Sequence, residues 1–300
     1  MSTIALKVDV DTYRGTLEGV PRLVDALQGV GARATFLFSL GPDHTGRAIK
    51  RVFRRGFLGK VRRTSVVSHY GIRTLLYGVL LPGPHIGRRC GHVMRDVARR
   101  GFEVGIHTYD HIKWQDGVAQ ASEAWTRRQL DLAREEFTRV FALQPGTHGA
   151  AGWQVNRYVP ELEAAMGLRY ASDTRGTAPF MPVIDGREIG VAQLPTTLPT
   201  LDELIGREDL GGVAPVDHLL SLTAGAQDHV FTLHAELEGG AYLAGFERLL
   251  REWLSRGHRL TDLATYAASL DLPRLPRCRI EAGTVAGRAG TLAMQGEEVR

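Results

Sequence analysis

His107-Thr108-Tyr109-Asp110-His111 sets two imidazoles four residues apart, directly after an apolar run, Phe102–Ile106, that reads as a strand. If the chain turns helically after that strand, both rings point the same way and can share one metal ion. The spacing alone is common in a chain with 11 histidines, so solvated or core-bonded histidines are the plain alternative. A second cluster adds weight. Asp9-Val10-Asp11 ends another strand-like run, and carboxylates at i and i+2 share a face, where they repel unless a cation compensates them. Caps and loop amides are the competing use for such carboxylates. A third ionisable group, His234, closes the apolar run Val230–Leu233, where it can act as a general acid or base or be a satisfied core histidine.

Holding these groups together requires strands that end on one side. Ile4, Leu6, Val8 and Val10 alternate with other residues, which predicts a strand and puts Lys7, Asp9 and Asp11 on one face. Glu18 to Val30 reads as a helix with Val20, Leu23, Val24 and Leu27 on one stripe, and Ala34 to Leu40 as a buried strand. Helices then follow over 88–100, 122–141, 160–166, 216–224 and 242–256, with strands over 102–106, 168–171, 191–194, 230–233 and 259–260. This alternation predicts an α/β fold, an irregular (β/α) barrel of about seven or eight mostly parallel strands. In such a fold the working loops gather at the carboxyl ends of the strands. Asp9, Asp11, His107, His111 and His234 are all expected there.

With 43% hydrophobic and 23% charged residues over 300 positions, the composition excludes a disordered chain. Two cysteines and an N-terminus without a basic-then-apolar leader point to a reducing, cytoplasmic compartment, and no apolar run is long and unbroken enough to predict a transmembrane helix. The net charge of +4 conceals a block: His44 to Arg95 holds twelve Lys or Arg and no acid, leaving 25 basic and 33 acidic residues elsewhere. Such a block suits an anionic partner, a membrane surface or nucleic acid, with a solvated basic face as the plain reading. Within it Ile49, Val52, Phe53 and Phe57 fall on one helical stripe flanked by Lys50, Arg51, Arg54 and Arg55. The pattern predicts a basic amphipathic helical insertion, 44–95, lying on the anionic inner face of the cytoplasmic membrane. Nucleic acid is not expected, because long aliphatic groups stand where base-stacking aromatics would be needed. The barrel is assigned to residues 1–272, and 273–300 to a poorly ordered appendage, with a hairpin of 279–285 and 291–294 as the lesser alternative.

Asp9, Asp11, the pair His107 and His111, and His234 together resemble the motif set of the polysaccharide deacetylase superfamily with a NodB-homology domain. The segments DVDTYRGTLEGVPRLVDAL, FSLGPD, AAGWQVN, LRYASDTRG, LPTTLPTLDELIGR and LHAELEGGAY are similar to its ArnD branch, over about residues 3 to 270. The resemblance implies hydrolysis of the formamide of 4-deoxy-4-formamido-L-arabinose phosphoundecaprenol, in lipid A modification and cationic-peptide resistance. It further implies one divalent metal ion, Zn, Mn, Co or Fe, on Asp11, His107 and His111, with Asp9 as base and His234 as acid. Two departures from the wider superfamily stand out: its adjacent Asp-Asp is here Asp9-x-Asp11, and its arginine–proline motif is replaced by Gly149-Ala150-Ala151-Gly152-Trp153. The cation beside the base is therefore open. Arg175 is the candidate, with Asp173 orienting His234, and a structural Asp/Arg ion pair is the alternative. An N-deacetylase of another amino sugar and a non-catalytic lipid- or nucleic-acid-binding protein are the competing functions.

Overall fold

The computed structural model describes residues 2–48 and 72–299. Its strands are β1 (Thr3–Val10), β2 (Thr35–Ser39), β3 (Glu103–Thr108), β4 (Thr147–His148), β5 (Tyr170–Ala171), β6 (Met181–Ile184), β7 (Arg187–Glu188), β8 (His229–His234), β9 (Arg259–Thr261), β10 (Arg277–Gly283) and β11 (Leu292–Glu298). Seven of them form one all-parallel, curled half-barrel in the order β5-β4-β3-β2-β1-β8, with β9 also on β1. β1 is the pivot. Its first residues, Thr3–Ala5, pair with β9, its last, Lys7–Val10, with β2, and β8 runs along the other edge from Ile4 to Asp9.

Strand alternation separates a greasy convex face from a polar concave one. Ile4, Leu6, Val8 and Val10 are fully buried in the main apolar cluster, as are Phe231 and Leu233 of β8. Ala5, Lys7 and Asp9 of β1, with Thr232 and His234 of β8, take the opposite face. The convex side is covered by the helices Val20–Gly29, Ile86–Arg99, Glu123–Phe141 and Leu243–Ser255. Phe36 stacks edge-on to Phe102 at 5.4 Å and Phe231 to Trp253 at 5.4 Å. Each large side chain buried this way contributes roughly 1.5–3 kcal/mol, so the convex layer holds the concave face from behind. The long helix Glu123–Phe141 begins where Ser122 accepts the Trp125 N–H and stops at Ala142, whose φ of 56° is left-handed.

Two expectations are corrected here. Residues 191–194 form no strand; Gln193 makes only isolated bridges to Ala171 and Phe180. The tail is not a loose appendage: β10 and β11 pair as an antiparallel hairpin, and β10 joins β6 to build a second, four-stranded sheet, β11-β10-β6-β7.

Candidate active site

Register brings the ionisable residues together. Asp9 is paired with His234 across the parallel β1/β8 ladder, so both side chains leave the sheet side by side at its carboxyl end. Between β2 and β3 the register slips from Phe38↔Ile106 to Ser39↔Thr108, leaving His107 as the extra residue of a bulge. The next residues turn, and His111 opens the helix His111–Gly117, capped by Asp110, which accepts the Lys113 N–H. The two histidines are thus joined by a strand-to-helix corner rather than a helical turn. Their rings are 5.3 Å apart. Asp11 Oδ1 is 3.2 Å from His107 Nε2 and Asp11 Oδ2 is 3.4 Å from His111 Nε2. All five residues line one cavity of about 350 Å³.

Asp11, His107 and His111 fit a divalent cation. Their ligand atoms lie within 4.8 Å of one another. His107 Nδ1–H donates to the Gly149 carbonyl at 2.7 Å, which fixes the tautomer and turns the Nε2 lone pair toward Asp11. Asp11 Oδ1 is buried without a hydrogen-bond partner among the described residues, an oxygen that a cation would satisfy. Burial alone would raise the Asp11 pKa, but the imidazoles around it, His111 foremost, hold it well below the usual carboxylate range, so it is an anion ready to ligate.

The cation beside Asp9 is Lys7, not Arg175. Lys7 Nζ is 3.5 Å from Asp9 Oδ2 and donates to the Ser172 carbonyl at 2.8 Å, fully buried. It reaches the site because position 149 is glycine: a Cβ there would stand 3.2 Å from Lys7 Cε and 2.5 Å from Leu37 Cδ1. The period-two reading had put Lys7 on the Asp9 face, which was the available signal. Arg175 instead donates to Glu203 Oε1 at 2.6 Å and to the Leu198 carbonyl at 2.9 Å.

Asp173 does not orient His234 either. Its Oδ1 accepts the Ala150 N–H at 2.7 Å and lies 3.0 Å from His148 Nδ1. The peptide unit that offers this N–H is the one whose Gly149 carbonyl holds His107. One peptide plane therefore links Asp173 to His107. Behind it, His148 Nδ1 is also 2.6 Å from Glu163 Oε1, all three side chains being buried. Burial works against its charge, but Asp173 and Glu163 push the His148 pKa up to about 10.

The partner facing His234 is Asp202, which sequence reasoning missed, at 3.6 Å from Nδ1; the Glu238 carboxylate accepts the His234 backbone N–H at 2.9 Å. Asp202 follows Thr200 in a capping box, Thr200 with Glu203, and that box was the legible signal. Glu236, also missed, clamps the loop after β1: its Oε1 accepts from the Thr12 N–H at 2.8 Å and the Thr12 hydroxyl at 2.7 Å. Lys50, Arg51, Phe53, Arg54, Arg55 and Phe57 lie outside the described residues. On either side of them, Ala48 and Leu75 line the cavity, and Val79 and Leu80 are 45% and 75% exposed.

Comparison with known proteins places this geometry. No protein-family profile matches the chain. Among solved structures, it is similar to one described as a polysaccharide deacetylase from Mycobacterium smegmatis, with TM-score 0.64 and 17% identity over 95% of this chain and 96% of that one. Another from Pseudomonas aeruginosa PAO1 gives TM-score 0.57 and 14% identity, covering 89% of both. A Bacillus anthracis pseudoenzyme of the same fold also aligns, at TM-score 0.50 and 12% identity over 89% of this chain and 65% of that one, so the fold alone does not carry activity. Fold, site and relatives together define an amide hydrolase with the fold of the polysaccharide deacetylases. The chain belongs to the ArnD deformylase family. It is 35% identical over 251 residues, 83% of this chain and 81% of the relative, to the protein named Probable 4-deoxy-4-formamido-L-arabinose-phosphoundecaprenol deformylase ArnD of Shewanella sediminis (strain HAW-EB3). The protein of that name from Wigglesworthia glossinidia brevipalpis is 30% identical over 94% of this chain and 98% of its own length.

Proposed function

We propose that the protein hydrolyses the formamide of 4-deoxy-4-formamido-L-arabinose phosphoundecaprenol to the free amine and formate, a step in lipid A modification and cationic-peptide resistance. The observation that carries this reading is the pairing of Asp9 and His234 in one register, beside the Asp11, His107 and His111 cluster. Asp11, His107 and His111 would hold one divalent ion, Zn, Mn, Co or Fe, which supplies Lewis-acid polarisation of the formyl oxygen and a more acidic water. Asp9, steadied by Lys7, takes the proton of the attacking water as its oxygen bonds to the formyl carbon. His234 gives a proton to the sugar nitrogen as the C–N bond breaks, without which the amine is a very poor leaving group. His234 holds that proton because Asp202 and the carboxylates behind it favour the imidazolium.

A phosphoundecaprenol head group sits at a bilayer surface, and the basic block of 44–95 together with exposed Val79 and Leu80 beside the cavity supports peripheral attachment there. No described helix is long and apolar enough to cross a membrane. The test is mass spectrometry of the formylated lipid-linked sugar and of its acetylated counterpart after incubation with the protein and a divalent metal. Loss of the formyl group, abolished in His107→Ala, is expected. Turnover of the acetylated sugar alone would replace this reading with that of an N-deacetylase.

A further inference from the structure

A guanidinium in the cavity wall extends the deformylase reading, on which it rests, to the group that holds the substrate's phosphate. Trp153 stands in this wall beside His234, ring centroids 6.4 Å apart. Two guanidiniums lie against its ring, Arg175 at 5.0 Å and Arg288 at 4.5 Å. Both approach one carboxylate oxygen, Glu203 Oε1, at 2.6 and 3.1 Å. Their situations differ. Arg175 is 5% exposed and its donors are committed to Glu203 and to the carbonyls of Thr196 and Leu198. The Arg288 guanidinium makes one hydrogen bond among the described residues, to Glu203, and lines the cavity with a side chain 20% exposed.

A single Glu203 carboxylate is thus shared by two guanidiniums, while Asp202 next to it feels the charges of both His234 and Arg288. Arg288 presents its remaining guanidinium N–H groups to the cavity beside His234. Arg288 is brought there from the tail, in the turn between β10 and β11. Gly287 before it has φ +84°, and a Cβ at that position would lie 2.1 Å from the Glu203 carbonyl oxygen. The turn is therefore seated against the helix Leu201–Leu204 with no room for a side chain, and Trp153 fixes the guanidinium plane.

We propose that Arg288 binds an anionic phosphodiester oxygen of the substrate and so orients the formamide toward Asp9 and His234. A planar guanidinium stacked on an indole suits this task, since its fork matches phosphate geometry and part of its desolvation is already complete.

The test uses the full-length protein with two readouts. The first is binding of dimethyl phosphate, followed by NMR titration. The second is turnover of 4-formamido-4-deoxyarabinose carrying either a methyl phosphodiester or a plain methyl ether at C1. Arg288→Gln is expected to weaken dimethyl phosphate binding and to raise KM for the phosphodiester roughly 10–100-fold, the range for losing a hydrogen bond to a charged group, with a much smaller change in kcat. It should also erase the wild-type preference for the phosphodiester over the ether. Arg288→Lys should restore part of both. Equal losses on the two sugars with unchanged phosphate binding would overturn the proposal and leave Arg288 as a brace for Trp153. Arg288-dependent phosphate binding in a protein that turns over neither sugar would refute the deformylase reading while keeping the anion site; turnover of both sugars without discrimination would do the reverse.

Discussion

His234 is surrounded by carboxylates. Burial alone would lower its pKa, but Asp202, Asp11, Asp9 and Glu238 together raise it to about 9, so below that pH the imidazole carries the proton a departing amine needs. A cation on the neighbouring ligands acts in the opposite sense, and the alkaline limb of kcat/KM is therefore expected at or below pH 9. Asp202→Asn removes the largest raising influence and should move that limb to lower pH, measured as a pH profile at fixed metal. An unmoved limb would return Asp202 to a capping role only. Asp173 acts at greater distance. Its carboxylate, held below the ordinary range against burial mainly by the His148 charge, grips the peptide whose carbonyl orients His107. Asp173→Asn should weaken metal binding by roughly 10–100-fold, as loss of a supporting hydrogen bond behind a ligand does, measured by competition with a chelating dye. Unchanged affinity would show that the Gly149 carbonyl keeps its place unaided. At this scale the sequence was legible where chemistry and local period coincide: Asp9 and Lys7 share a face two residues apart. Of Asp202 it showed the surrounding capping box but not the contact with His234, and it was silent on the clamp of Glu236 on Thr12, because these contacts form only in the folded chain.

The elements that could be read were those with a long stripe. The helix 123–141 and strands β1 and β8 bury enough apolar surface to announce their period, whereas β4 has two residues, too few for any alternation, and is held by its neighbours in the sheet. The tail misled for a different reason. Its glycines and small residues resemble a linker, yet β10 and β11 pair with each other and with β6, where pairing partners rather than hydrophobicity decide. Gly287 and Gly290 test this within one turn. Both have left-handed φ, +84° and +85°, but an added Cβ meets the Glu203 carbonyl at 2.1 Å in the first and nothing within 4 Å in the second. Gly290→Ala should cost about 1 kcal/mol from backbone strain, and Gly287→Ala about 1–3 kcal/mol more, read from urea unfolding midpoints. Equal costs would mean that the turn is not seated on the helix Leu201–Leu204.

For the whole molecule, the proposed lipid-linked substrate raises the question of how a chain in which no described helix can span a bilayer would reach it. The charge distribution answers by separation: twelve basic residues fall within His44–Arg95, while the rest of the chain is acidic on balance, so an anionic surface attracts one region and repels the other. In the proposed attachment the cavity mouth would face the surface, because Ala48 and Leu75 line that cavity, and Leu80, five residues after Leu75, is 75% exposed. Near such a surface each Lys or Arg is worth about 1 kcal/mol, so Lys50, Arg51, Arg54 and Arg55 together supply a few kcal/mol, screened over roughly 8 Å at 0.15 M salt. Phe53, Phe57 and Leu80 add apolar insertion, which salt does not screen. The two contributions are separable. Replacing the four basic residues by Gln should weaken sedimentation with anionic liposomes and flatten its salt dependence, whereas Phe53→Ser with Phe57→Ser and Leu80→Ser should reduce binding even at low salt. Turnover of a vesicle-embedded substrate should fall in step with binding, referenced to a short-chain, water-soluble analogue in the same variant. Should wild type and both variants bind anionic liposomes equally at 0.15 M salt, the basic block would be a solvated face, and the lipid-linked sugar would have to be drawn to the cavity by its head group alone.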